Sequence, residues 1–226
     1  MHRPHGSRRV PRALAGAAVV LLTAGGPAAV AAGGPSPTAP ATAGAVAGLP
    51  TDRTDPRTAT AELTIPSIGV TGLRVVPYEG TTDDGPGTRV QDRGVAASPY
   101  GEEGGVGPGE TGNYLVTAHR LSAGGPLRDL PALEEGGSVL VTEGRTVYEY
   151  RITGTRQTSF RSERSLAEQR AEVPGEPGRK PTRAMVTLST CATPEDDAAG
   201  NFWRDAHDNP EHRIDKIGVL VSTRTS

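Results

Sequence analysis

Short runs in which apolar and polar residues alternate fill most of the chain after residue 60. In residues 185–191, sequence MVTLSTC, Val186 and Leu188 would face one side of a strand. The polar residues between them and Cys191 would face the other side. This alternation predicts a half-buried strand that leads directly into Cys191. Pro194 and the acidic stretch after it then predict a loop.

The same kind of pattern predicts a chain of short strands with few helices. Strands are predicted at residues 63–70, 73–76, 114–119, 138–142, 146–152 and 216–223. A helical turn is predicted at 126–133, a short helix with capping-box spacing at 165–172, and a long irregular glycine-rich segment at 83–112. Seven or eight short strands at close spacing predict an antiparallel or mixed barrel with short helices and loops.

The first sixty residues follow a different pattern. Residues 1–12 contain four arginines and no acidic residue, and the apolar stretch 13–32 follows, with a small-residue cleavage site at 29–31. This is typical of a signal peptide or an N-terminal membrane anchor, and the anchor is favoured. The arginines would keep the N-terminus in the cytoplasm, so the remainder would be exported. Residues 33–60 are rich in Pro, Ala and Thr and predict a disordered linker before a folded domain at 61–226.

Composition narrows the possible functions. The chain has 226 residues, a net charge of −2 and one cysteine. Its charge gives no electrostatic case for binding nucleic acid, and a single cysteine excludes an internal disulfide framework. The acidic run 195–197 has no matching ligands, so it predicts a solvated loop rather than a metal site. No cofactor is expected.

A single cysteine at the end of a strand can reach a substrate, so Cys191 is predicted to be a nucleophile. Cysteine chemistry of this kind needs a group that favours the thiolate, a proton donor and a group that holds the oxyanion. His119 ends a predicted strand, and Arg213 precedes the last one. By spacing alone, the order His119, Cys191, Arg213 is a weak signal, and a surface role for His119 remains an alternative.

The motifs around these residues resemble those of the sortase family. TLSTC at 187–191 is similar to the TLxTC signature, and YLVTAHR at 114–120 is similar to the segment with the catalytic histidine. The resemblance covers residues 61–224 and is greatest to the class E housekeeping sortases of actinobacteria. It implies a sortase-type eight-stranded β-barrel, here preceded by an N-terminal hydrophobic segment.

The resemblance also implies roles for individual residues. Cys191 would attack the Thr–Gly carbonyl of a C-terminal LAxTG- or LPxTG-like sorting motif and form a thioacyl-enzyme. His119 would protonate the leaving amine and then activate the incoming one, and Arg213 would hydrogen-bond the oxyanion. Tyr114 would prefer alanine in the motif, and Thr190 would contribute a hydroxyl to the pocket.

Partners and location follow from the same resemblance. The implied substrates are secreted proteins with a sorting signal, and the implied acceptor is the amine of a lipid II-type cell-wall precursor. The enzyme would lie on the extracytoplasmic face of the membrane, held by its N-terminal segment, or be secreted if that segment is cleaved.

The chain departs from class E sequences in two places. Ala192 follows the cysteine where His is common, and the loop 192–212 is long, which leaves the motif preference open. In that loop Phe202 and Trp203 could form a substrate wall or pack on the barrel. The competitors for the catalytic roles are Arg204 for Arg213, and His207 and His212 for His119.

Three other functions are weighed against this prediction. An L,D-transpeptidase also uses Cys and His, but its cysteine context is absent here. A pilin-polymerising sortase would carry an upstream lid and a second hydrophobic anchor, which are not apparent. A non-catalytic exported β-barrel binding module would have a buried, unreactive Cys191.

Overall fold

The structure is a computed structural model that describes residues 55–225. The predicted signal peptide or anchor at 1–32 and most of the predicted linker lie outside these residues. A short 3-10 helix at Pro56–Thr58, which begins after the N-cap Asp55, falls within the last part of the predicted linker. None of the helices within residues 55–225 is long and apolar enough to cross a membrane.

Eight strands form one closed barrel, which confirms the predicted fold class. The strands are β1 Ala61–Ile65, β2 Val70–Glu79, β3 Ala96–Tyr100, β4 Gly112–Thr117, β5 Ser138–Glu143, β6 Thr146–Ser159, β7 Ala184–Cys191 and β8 His212–Thr225. Their order around the barrel is β1-β2-β3-β4-β7-β8-β6-β5. The β2–β3 and β4–β7 pairs are parallel, and the other pairs are antiparallel.

Helices are short and lie in the connections. The α-helices are α1 Gly85–Gln91, α2 Glu163–Arg170 and α3 Thr193–Ala198, and further 3-10 helices cover Pro66–Ile68 and Leu130–Ala132. The barrel interior is filled by aliphatic residues from all sides, with Leu63, Val141, Val186 and Leu188 fully buried. Removing this apolar surface from water is the main stabilising contribution to such a fold.

Strand β7 is buried on both faces, so its prediction as a half-buried strand is wrong. The predicted alternation is present, because Val186 and Leu188 belong to the barrel core. Thr187 and Ser189 on the other face are also buried, at 1% and 2% exposure. Helix α2 covers this face, and Gln169 donates a hydrogen bond from Nε2 to Ser189 Oγ at 3.2 Å. A covering helix cannot be seen in the pattern of the strand alone.

The segment 83–112, predicted to be irregular, contains helix α1 and strand β3. Asp84 caps α1, since its Oδ1 accepts a hydrogen bond from Gly87 N at 2.7 Å. This cap stabilises a helix that its glycines and proline disfavour. Strand β3 lies parallel to β2 and is almost entirely buried, which removes the alternation that would have revealed it.

The strand predicted at 63–70 is broken by the 3-10 helix Pro66–Ile68, and the strand predicted at 146–152 extends to Ser159. Other boundaries also differ from the predictions. Helix α2 starts after Ser162, whose side chain accepts a hydrogen bond from Ser165 N, so Ser162 rather than Ser165 is the N-cap. Helix α3 replaces the loop predicted after Pro194, which occupies the first turn of that helix as proline often does. Strand β8 begins at His212, so Arg213 lies within the last strand instead of preceding it.

Candidate active site

Cys191 and Arg213 face each other on neighbouring strands. They are paired in register at the end of β7 and the beginning of β8. Directly opposite residues of an antiparallel pair project their side chains to the same face. Arg213 Nη1 accordingly donates a hydrogen bond to Cys191 Sγ at 2.9 Å. The ladder therefore brings together two of the predicted catalytic residues, which are 22 residues apart in the chain.

The Arg213 side chain is buried beneath the sulfur of Cys191. It is 2% exposed, its Nε donates a hydrogen bond to Asp83 Oδ2 at 3.1 Å, and its guanidinium carbon lies 4.3 Å from the centroid of the Phe160 ring. An ion pair and an aromatic face thus hold the guanidinium from two sides. Its remaining contact with the site is the sulfur of Cys191.

His119 reaches the same region from the end of β4. This strand runs parallel to β7, and Ala118 N donates a hydrogen bond to Ser189 O at 3.2 Å, which sets the ends of the two strands side by side. His119 Nε2 lies 2.8 Å from Asp92 Oδ1. A carboxylate only accepts hydrogen bonds, so this contact directs Nε2–H to Asp92 and leaves Nδ1 for other partners.

A cleft of about 530 Å³ opens over these residues. It is lined by Cys191, His119 and Arg120, together with residues from α1 and from the β7–β8 loop. Arg213 does not line the cleft. The nucleophile and the histidine are therefore open to a substrate, whereas the arginine acts from beneath the sulfur.

Arg120 is a second arginine at this site. Its Nη1 donates a hydrogen bond to the Cys191 carbonyl oxygen at 3.3 Å, and its two terminal nitrogens bind the carboxylate of Glu195 at 3.1 Å each. Among the described residues, its Nε is a buried nitrogen without a hydrogen-bond partner. Arg120 therefore ties the backbone at the nucleophile to helix α3.

The charges around Cys191 act on its thiol in opposite directions. Burial raises the pKa of the Cys191 thiol, because a thiolate is poorly solvated there. The Arg213 guanidinium opposes this rise, and the Asp83 carboxylate adds to it. The thiol thus favours its protonated form at neutral pH, and Arg213 is the main group that stabilises the thiolate.

The two predicted substrate-binding residues lie outside the cleft lining. Tyr114 is 3% exposed in the barrel core, and burial raises the pKa of its hydroxyl far above the ordinary range. Thr190 donates its hydroxyl to Ala118 O at 2.8 Å, which ties β7 to the segment before His119. The geometry gives both side chains a structural role, and contact with substrate stays a prediction for them.

Of the three competing residues, Arg204 and His207 line the cleft, whereas His212 does not. Arg204 binds Asp197 at 2.6 Å, and His212 Nδ1 lies 2.7 Å from Asp196 Oδ1. His207 is exposed. This arrangement favours Arg213 and His119 over their competitors.

The two aromatic residues of the long loop behave differently. Phe202 is 71% exposed, whereas Trp203 is half-buried with the Arg161 guanidinium carbon 5.8 Å from its ring centroid. Trp203 therefore packs the loop on the protein, and neither residue lines the cleft.

Three residues of the site were missed by sequence reasoning. Asp83 and Asp92 lie in the segment predicted to be irregular, and Arg120 was noted only as the neighbour of His119. A buried aspartate has no sequence signal of its own, but the motif His-Arg after a strand could have pointed to Arg120. Within residues 55–225, no group of three or more His, Cys, Asp or Glu side chains could hold a metal ion.

Comparison with known proteins gives one family. The Sortase domain family model matches residues 63–207. No curated protein matches the chain. The chain is similar to the solved structure of sortase E from Streptomyces avermitilis, with 27% identity, a TM-score of 0.53, and coverage of 76% of this chain and 93% of that one.

Two further structures share the fold. Sortase E1 from Streptomyces coelicolor, solved with a tripeptide in its active site, has 23% identity and a TM-score of 0.55 over 76% of this chain and 93% of that one. A sortase from Actinomyces oris has 22% identity and a TM-score of 0.56 over 74% of this chain and 82% of that one.

Proposed function

Since this chain belongs to the sortase family and is thus a cysteine transpeptidase that resembles class E, we propose that it cleaves an LAxTG- or LPxTG-like sorting motif between Thr and Gly. It then transfers the cleaved protein to the amine of a cell-wall precursor. The observation that carries this proposal is the 2.9 Å contact between Arg213 Nη1 and Cys191 Sγ, beside a cleft that His119 also lines.

In the first half-reaction, the thiol proton passes to His119, and the Cys191 thiolate attacks the threonine carbonyl carbon and forms a tetrahedral oxyanion. Arg213 stabilises the thiolate before attack. After attack, its Nη1 lies next to the carbon bonded to sulfur, where it donates a hydrogen bond to the oxyanion. The C–N bond breaks, His119 gives a proton to the leaving glycine amine, and a thioester with Cys191 remains.

In the second half-reaction, the acceptor amine loses a proton to His119 and attacks the thioester carbon. The C–S bond breaks, the thiolate of Cys191 leaves, and an amide joins the protein to the acceptor. The raised pKa of the Cys191 thiol keeps the thiolate scarce at neutral pH. We therefore expect slow turnover.

The first test is peptide cleavage by the full chain. A fluorogenic LAxTG peptide is incubated with and without an amine acceptor, and intact mass is recorded. We expect a Cys191-linked acyl adduct, cleavage between Thr and Gly, and amide product only with the amine. Cys191→Ala should abolish all three. Absence of an adduct with both LAxTG and LPxTG peptides would overturn the proposed motif.

His119 has a matched control in His207, which lines the same cleft. His119→Gln should lower kcat at least about 100-fold, as expected for loss of a general acid, and His207→Gln should lower it far less. Equal losses in the two variants would contradict the role of His119.

The acceptor class is tested by competition. A peptidoglycan stem peptide with a free side-chain amine and a lysine-containing pilin-like peptide are offered together. Preference for the stem peptide supports cell-wall anchoring, whereas preference for the lysine peptide would favour the pilin-polymerising alternative.

We also propose that the enzyme works on the extracytoplasmic face of the membrane and that residues 1–32 attach it there. The charge and apolar pattern of these residues supports this proposal. Protease added to spheroplasts whose membrane is intact should degrade the domain. The domain should also fractionate with membranes. Protection from the protease would contradict the proposed location.

A further inference from the structure

Asp83 binds the arginine that contacts the nucleophile. It is next to Asp84, which already serves helix α1: Asp84 Oδ1 accepts from Gly87 N at 2.7 Å, and Asp84 Oδ2 accepts from Thr81 N at 3.1 Å. Asp83 itself adopts a left-handed backbone conformation with φ of 61°. Such conformations are uncommon outside glycine and often occur at functional sites.

This conformation directs the Asp83 carboxylate inward. The side chain is 6% exposed, and its Oδ2 accepts from Arg213 Nε at 3.1 Å. Its other oxygen lies 3.5 Å from Gln91 Nε2. Burying an ion pair is costly and often adds nothing to stability. A buried pair whose cation touches the nucleophile therefore points to a role in the reaction.

Another buried acid lies near Arg213 but is satisfied by neutral partners. Asp215 Oδ2 accepts from Thr158 Oγ1 at 2.6 Å, and Asp215 Oδ1 accepts from Gln169 Nε2 at 2.9 Å. Burial raises the pKa of the Asp215 carboxyl. In the described part of the chain, the carboxylate that directly binds the guanidinium of Arg213 is thus that of Asp83.

We propose that Asp83 is a positioning residue, which fixes the orientation of the Arg213 guanidinium at Cys191 and partly neutralises its charge. The proposal rests on the proposed role of Cys191 as the nucleophile. Through Arg213, Asp83 moderates how readily Cys191 forms a thiolate. It acts from behind the site and does not contact the substrate.

Charged groups reach the thiol and the cleft beside it from several elements. Arg213 comes from β8, Asp83 from the β2–α1 loop and Asp205 from the β7–β8 loop, and the backbone of Arg120, after β4, also acts on the thiol. Asp92, Arg204, His207 and Asp208 line the adjoining cleft. His119 lines the same cleft. Of these, Asp83 is the acid that is both buried and bonded to the arginine, so its removal should alter the thiol most among the acids.

The test is the pH dependence of alkylation of Cys191 by iodoacetamide in the full chain. The chain has one cysteine, so the reaction reports on this thiol alone and needs no substrate. Asp83→Asn keeps an oxygen that accepts from Arg213 Nε but removes the charge. We expect the alkylation midpoint to fall by about one pH unit, which makes alkylation about tenfold faster at a fixed pH below the midpoint.

Asp83→Gly is the second variant, in case the Asn variant does not fold. Glycine adopts positive φ without strain and leaves room for a water molecule. It should lower kcat for the sorting peptide about tenfold or more with little change in KM, because the guanidinium loses its fixed orientation. Asp84→Asn is the matched control. It removes a charge from the same loop, still caps α1, and should leave the midpoint and kcat unchanged.

The outcomes separate this proposal from the proposed function. An unchanged midpoint in folded Asp83→Asn, or an unchanged kcat in folded Asp83→Gly, with peptide cleavage intact in the unsubstituted protein, would overturn the positioning role alone. An equal shift in Asp84→Asn would also overturn it, because the effect would then belong to the loop charge in general. A Cys191 that neither reacts with iodoacetamide nor forms an acyl adduct would overturn both proposals.

Discussion

Two acid–base pairs flank the nucleophile, and they differ in their access to solvent. Asp83 and Arg213 are 6% and 2% exposed and lie beneath the sulfur, whereas Asp92 is 57% exposed and binds His119 at the open cleft. Charges in a buried pair interact strongly and are little screened, while an exposed pair is weakened by water and salt. The site therefore combines a buried cation beneath the thiol, Arg213, with a histidine at the open cleft, His119, whose acidic partner is exposed to solvent.

The largest effect is expected from removing the buried cation. Arg213→Gln leaves Asp83 buried without its partner, so the free energy of unfolding should fall by about 3–5 kcal/mol. The alkylation midpoint of Cys191 should rise, and kcat should fall at least about 100-fold. Denaturant unfolding, alkylation and peptide cleavage measure the three effects.

Two variants sharpen that result. The double variant with Asp83→Asn and Arg213→Gln should recover much of the stability without recovering kcat, because it replaces the ion pair with neutral groups. Arg204→Gln, at an arginine paired with Asp197, should leave the midpoint unchanged. Recovery of activity in the double variant would show that Arg213 serves only to neutralise Asp83.

The next effect is that of pH on the unsubstituted protein. Because burial raises the pKa of the thiol, the midpoint of alkylation should lie above the value of about 8.5 for free cysteine. Alkylation at pH 7 should then be slower than for a free thiol and should rise about tenfold per unit up to the midpoint. A midpoint below 8 would show that Arg213 outweighs burial.

A smaller effect is expected from the open pair. Asp92→Asn should lower kcat a few-fold, because His119 Nε2 loses a charged acceptor that orients the ring. The free energy of unfolding should change by less than about 1 kcal/mol, as is usual for an exposed pair. If Asp92→Asn changed kcat or the free energy of unfolding more than Arg213→Gln does, the exposed pair would matter more than the buried one, contrary to this comparison.

The smallest effect is that of salt. Raising the ionic strength from about 0.05 M to about 0.5 M should weaken the contact between Asp92 and His119 and leave that between Asp83 and Arg213 nearly intact. The alkylation midpoint should thus hardly move, whereas the difference in kcat between the unsubstituted protein and Asp92→Asn should shrink. A midpoint that moves with salt would indicate that Arg213 is open to solvent.

The parts of the fold that were predicted correctly are strands in which apolar and polar residues alternate. The alternation around Val186 and Leu188 and the hairpin that became β5 and β6 were visible because each strand has an apolar face. Strand β3 and helix α1 were not visible, because one lacks alternation and the other depends on the cap at Asp84. Local patterns do not report which face a later helix will cover, and so β7 was predicted to be half-buried.

For the site, the motifs identified residues but not their surroundings. Cys191 was predicted from its place at the end of a strand, and motif resemblance added His119 and Arg213 as its partners. The structure places Cys191 and His119 in one cleft and Arg213 behind the sulfur. Asp83 is 130 residues from Arg213 in the chain. No sequence pattern around either residue predicts their contact. The placement of Tyr114 and Thr190 also depends on packing across the barrel, which sequence order does not report.

The register of β7 against β8 has a consequence for how the enzyme can change. Cys191 and Arg213 are set opposite each other by a ladder that runs from Met185 paired with Val219 up to this last pair, and β6 holds β8 from the other side. The loop between them can therefore gain or lose residues without altering the distance from sulfur to guanidinium. Residues of this loop line the cleft, so substitutions there would change the cleft wall and leave the reactive pair in place.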